Sequence, residues 1–151
     1  MATYTLKPKD IEEKWHVIDA AGRPLGRLAS EVASTLRGKN RPTFTPSMGN
    51  GDFVIVVNAA QVKISGDMVA KKYYHHSMYP GGLKSITQEK LLQTKPERVI
   101  EFAVKGMLPH NAHGAKLLHH LKVYAGPDHP HQSQVNAGTG KGHGAQVVGK
   151  D

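Results

Sequence analysis

The residues most able to do chemistry in this chain are its ten histidines, and their spacing is the first guide to what that chemistry is. Apart from His16 and His143 they come as His75-His76, His110 and His113, His119-His120, and His129-Pro130-His131. Such spacings allow adventitious binding of divalent ions. A built zinc site usually adds thiolate or carboxylate ligands, with hydrogen-bond partners that orient each ring. The chain has no cysteine, which removes thiolate metal sites, disulfides and Cys nucleophiles together. No Ser/His/Asp arrangement stands out, and Asp19, Asp52 and Glu101 have ordinary readings as turn, cap or surface charges. The turn GRPLGR, residues 22–27, sits between a strand and a helix, where phosphate loops occur, but it matches neither GxGxxG nor GxxxxGK[ST]. GTGKGHG, residues 138–144, imitates a glycine loop without a strand before it or a helix after it. The expectation is therefore no catalytic residue, no resident metal, no cofactor and no small-molecule substrate.

What the chain does carry is positive charge. Twenty Lys and Arg stand against twelve Asp and Glu, a formal charge of +8 with a pI near 9.7. The excess is placed unevenly. Residues 1–14 are balanced, residues 15–50 hold five cations against two acids, and residues 51–85 hold four against two. A basic chain with an adequate core points to nucleic acid first and an anionic membrane second; a basic protein with no polyanionic partner is the plainer alternative. The segment RGKNRPTFTP, residues 37–46, puts Arg37, Lys39 and Arg41 on a loop beside Phe44, an arrangement suited to phosphates. In KKYYHHSMY, residues 71–79, Lys71 and Lys72 lie close to Tyr74, His75 and His76, so rings can stack on bases while ammonium groups meet phosphates. The plainer reading of that stretch is an edge strand guarded by Lys. Arg23 and Arg27 flank the first turn, and Lys84, Lys105 and Lys122 follow at intervals. His113, Lys116 and His120 fall at i, i+3 and i+7, a stripe on one helix face.

These groups need a scaffold, and the apolar pattern supplies one. WHVIDA, residues 15–20, reads as a buried strand. Leu25, Leu28, Ala29, Val32, Ala33 and Leu36 then mark one face of a helix, which Gly38 ends with positive φ. DFVIVVNA, residues 52–59, is apolar on both faces, as a central covered strand is. Residues 61–65 read as a short extended piece and residues 86–93 as a short helix. Pro96 opens another helix, with Val99, Ile100, Ala103, Val104 and Met107 buried and a stop at Lys105-Gly106. A helix over 112–121 buries Leu117, Leu118 and Leu121, and KVYA, residues 122–125, is a last strand. The predicted organisation is an N-terminal arm over 1–14, one α/β domain over 15–131, and a glycine-rich disordered tail over 132–151. The crossover rule places the first helix between its flanking strands in a mainly parallel sheet.

The N-terminus lacks the apolar stretch of a signal peptide, and no run approaches the roughly 18 apolar residues of a membrane span. With cysteine absent, a cytosolic or organellar-matrix setting is the expectation.

Arg27-Leu28-Ala29, RGKNRPTFTP, GDFVIVVNA, YPGGLK and above all VKGMLP–HNAH–GA–KLLHH–LKVYAG closely resemble the bacterial and organellar large-subunit ribosomal protein L13 family (uL13). The likeness runs over about residues 15–134. It implies a three-layer α/β/α domain with a mainly parallel four-stranded sheet, lodged on large-subunit (23S-type) rRNA beside neighbouring ribosomal proteins. It further implies a role early in subunit assembly, no catalytic activity, and residence in the ribosome. The cationic positions it carries over are Arg27, Arg37, Lys39, Arg41, Lys71, Lys84, Lys105 and Lys122. Where members commonly hold basic residues, this chain has His110, Ala115, His119 and His120; its glycine-rich end also departs from the usual short terminus.

Overall fold

The structure is a computed structural model and describes residues 5–137. Strand β1 (Trp15–Asp19) leads through Pro24 into helix α1 (Leu25–Arg37), and β2 (Phe53–Val57) returns beside β1. There follow β3 (Lys72–His76), β4 (Leu83–Thr87), α2 (Gln88–Thr94), α3 (Pro96–Met107), α4 (Ala112–His119), β5 (Leu121–Val123) and α5 (Gln132–Ala137). The parallel sheet runs β1-β2-β5, with Ile18 opposite Val56 and Val54 opposite Leu121. The FVIVV run is thus the central strand, and α1 is the crossover between it and β1, as the apolar pattern predicts.

Side chains alternate across a strand, so β2 offers two faces. Val54 and Val56 meet Leu28, Val32 and Leu36 of α1, Ile100 and Val104 of α3, and Leu117 of α4 in one core. On the other face Ile55 is fully buried, and Trp15 stacks on Phe53 with centroids 4.4 Å apart. His131, at the root of α5, stacks on Trp15 in turn, and the Tyr124 hydroxyl lies 2.7 Å from His131 Nε2. Burying the aliphatic side chains of both layers stabilises the fold by roughly 1.5–3 kcal/mol each before conformational entropy is subtracted.

Several expectations need correction. The parallel sheet has three strands, not four; β3 and β4 form a separate antiparallel hairpin. The helix expected over 86–93 begins only at Gln88, because Ile86 and Thr87 pair with Tyr73 and Lys72, and the Thr87 hydroxyl accepts the Lys90 N–H at 3.4 Å as the cap. Helix α3 runs past Gly106 to Met107, and its cap Leu108 has the extended backbone that the following Pro109 requires. The tail expected from residue 132 begins as helix α5, packed at β1; the rest of it lies outside the described residues. The N-terminal arm is tied down in part: Leu6 is buried, and the Phe53 N–H donates to the Lys14 carbonyl at 2.8 Å.

Candidate nucleic-acid interface

The loop between α1 and β2 is closed at its base by two glycines. Gly38 ends α1 at φ 76°, and a Cβ there would lie 2.2 Å from the Asn50 carbonyl oxygen. A Cβ on Gly51 would lie 1.7 Å from the Leu36 carbonyl oxygen, so backbone meets backbone with no room for a side chain. Inside the loop Asn50 is 1% exposed and satisfied: its amide donates to the Thr43 hydroxyl at 2.9 Å, and its carbonyl oxygen accepts from Arg41 Nη1 at 3.0 Å. Arg41 Nη2 donates to Asp52, which also accepts the Lys14 N–H at 2.9 Å and sits 3.0 Å from His16 Nε2. Burial pushes the Asp52 carboxyl up, but the His16 and Lys14 hydrogen bonds and the Arg41 charge outweigh it and hold the group below the usual carboxylate range.

The loop's three cations are therefore not equivalent. Lys39 is exposed. Arg37 is half-buried, its guanidinium carbon 5.7 Å from the centre of the Phe44 ring. Arg41 is turned inward and committed to Asn50 and Asp52. Arg23 is similarly engaged, paired with Glu31 across the first turn of α1, while Arg27 on that helix is exposed.

The hairpin is the second cationic element. Tyr73 stacks on Phe102 of α3 at 5.2 Å and anchors it; burial pushes the Tyr73 phenol up. Lys71 lies 5.6 Å from the Tyr73 ring centre. Lys72, Tyr74, His75, His76 and Lys84 are all exposed, with His75 paired across from Lys84. Elsewhere Lys105 and Lys116 are exposed and Lys122 is half-buried on β5. His113 is half-buried beside the loop, its Cε1 3.4 Å from where a Gly49 Cβ would be.

His120 does not share the stripe with His113 and Lys116. The helix ends at His119, and the His120 ring turns to stack on Phe53 at 4.2 Å. The residues that sequence reasoning missed are Asn50, Asp52 and His16: the first two hold the Arg41 guanidinium, and His16 holds Asp52. Their only sequence signal is a lone acid following the basic loop in an apolar context. Among the described residues no three His, Asp or Glu side chains converge as metal ligands, and no helix is long and apolar enough to cross a membrane.

The pattern of the family described as Ribosomal protein L13 matches residues 13–130, which includes the basic loop, the hairpin and strands β1 to β5. The chain is 59% identical over 133 residues to the large ribosomal subunit protein uL13 of Natranaerobius thermophilus, covering 87% of this chain and 93% of that protein. It is 55% identical over 135 residues to the uL13 protein of Aquifex aeolicus, covering 89% and 94%. With the uL13 protein of Pseudomonas aeruginosa it shares 54% identity over 135 residues, covering 89% and 95%. The chain belongs to the ribosomal protein L13 family.

Proposed function

We propose that this protein is a structural constituent of the large ribosomal subunit that binds 23S-type rRNA through its basic loops and helix faces and supports early subunit assembly. It works in the ribosome, beside other large-subunit proteins, and catalyses no reaction. The observation that carries this reading is the contrast between two kinds of cation. Arg23 and Arg41 are paired with carboxylates of the chain itself, whereas Arg27, Lys39, Lys71, Lys72, Lys84, Lys105 and Lys116 stand on the surface. Cations held on a closed loop and an anchored hairpin displace counterions from phosphates with little ordering cost. A protein that binds only folded rRNA stabilises that fold by mass action, which is the physical content of an assembly role.

Binding of the full chain to deproteinised large-subunit rRNA tests this directly. Five or so phosphate contacts give a slope of log K against log salt of roughly −3.5 to −4.5. A flat salt response, or failure to co-sediment with large subunits through a high-salt wash, refutes it.

A further inference from the structure

The hairpin carries more than charge. Met78 is 89% exposed, Tyr79 76% and Tyr74 65%, and Leu83 is 62% exposed opposite His76. The two faces of this ribbon differ. Tyr73 and Ile86 pair on the face that packs against Phe102, and the next pair along, Tyr74 and Ser85, points the other way into solvent. A two-stranded ribbon is marginal by itself, so the inner face accounts for its stability and leaves the outer face uncommitted.

The tip is built to hold its apolar side chains outward. The Ser77 N–H donates to the Gly82 carbonyl at 3.0 Å, and the Gly82 N–H to the Tyr79 carbonyl at 2.9 Å. Met78 adopts φ 69°, uncommon for a residue with a side chain, and its N–H donates to His76 Nδ1 at 3.0 Å. A Cβ on Gly82 would sit 2.8 Å from the Tyr79 carbonyl oxygen, so a side chain there would press on the turn's own backbone.

Charge selects the occupant. Between Asp67 and Glu89 there is no carboxylate, while Lys71, Lys72 and Lys84 provide ammonium groups. A second copy of the chain would bring the same cations against them. On the outer face Lys72, two residues before Tyr74, sets an ammonium group beside the ring, which suits a base with its phosphate.

We infer that the outer face and tip of the hairpin are a stacking platform for unpaired nucleobases of the rRNA, with Tyr74 and Tyr79 as the ring contacts and Lys72 meeting the adjoining phosphate. This rests on the rRNA-binding reading above and adds the kind of RNA feature recognised: splayed single-stranded bases rather than duplex. Because both tyrosines are mostly in solvent, truncating them leaves the fold intact.

The test measures affinity of full-length variants for deproteinised large-subunit rRNA across a salt series, alongside their incorporation into large subunits. Tyr74→Ala and Tyr79→Ala each weaken binding by about 5- to 100-fold with an unchanged salt slope, and Tyr74→Phe and Tyr79→Phe restore it. Lys72→Gln instead shallows the slope by roughly 0.7–0.9. If both alanine variants bind the rRNA as the unaltered protein does, the platform is overturned while rRNA binding stands. Normal rRNA binding by these variants with poor incorporation into subunits also overturns it, because a neighbouring protein then covers the hairpin. If the unaltered protein does not bind rRNA, the function falls and the platform with it.

Discussion

Replacing Arg41 by Met separates a structural cation from a contacting one. The Arg41 and Asp52 side chains are 20% and 10% exposed, and both guanidinium edges are occupied, one by Asn50 and one by Asp52. Breaking a fully buried ion pair costs about 3–5 kcal/mol, because the remaining charge stays unpaired. Here Asp52 keeps the Lys14 N–H and His16, which brings that loss down to about 2 kcal/mol; the Asn50 carbonyl oxygen left without its donor adds about 1 kcal/mol. The sum, about 3 kcal/mol, lowers Tm by roughly 6–12 °C in a domain of this size. In the salt series the same variant keeps the full slope, since no phosphate contact is removed. Lys39→Gln behaves the opposite way: its Tm stays within about 1 °C, as for an ordinary surface change, and its slope shallows by roughly 0.7–0.9. Calorimetry and filter binding on the two variants decide the matter. An Arg41→Met protein with unchanged Tm and a shallower slope would refute the inward assignment of this guanidinium.

Asp52 makes stability depend on acidity. Its folded carboxyl titrates below the unfolded value, so its contribution is complete above the unfolded pKa of about 3.9 and is lost as pH falls through the depressed folded value. Between about pH 5 and pH 2 the unaltered protein therefore loses more stability than Asp52→Asn, which starts lower; parallel acid-denaturation curves would contradict this. At the loop base, Gly51→Ala places a Cβ 1.7 Å from the Leu36 carbonyl oxygen, and backbone on both sides must move. A destabilisation of about 2–4 kcal/mol follows, measured by urea unfolding, together with weaker rRNA binding as the loop loses its setting; a midpoint equal to that of the unaltered protein counts against the close contact.

Much of the frame is visible in residue spacing. Leu28, Val32 and Leu36 declare α1, and Gly38 ends it with positive φ. The FVIVV run declares a strand buried on both faces. The hairpin is harder to see, because Ile86 and Thr87 carry no cue that distinguishes the end of a strand from the start of a helix; their pairing with Tyr73 and Lys72 settles it. Charge counting places cations in the right segments but not their side chains in space. Arg41 reads like Lys39 until Asn50 and Asp52, nine and eleven residues on, close around it. His120 has the helical spacing of a surface stripe, yet the helix stops one residue early and the ring turns to Phe53 in a distant strand.

The aromatic stack over β1 has a practical consequence. The chain has a single tryptophan, and Trp15 lies between Phe53 and His131, so its indole joins the central strand to the segment that leads into α5. Its emission is a native optical reporter: lifting α5 away removes the imidazole from the indole while leaving the Phe53 stack, whereas global unfolding removes both. Detachment of α5 can thus be followed separately from loss of the sheet in the unlabelled protein.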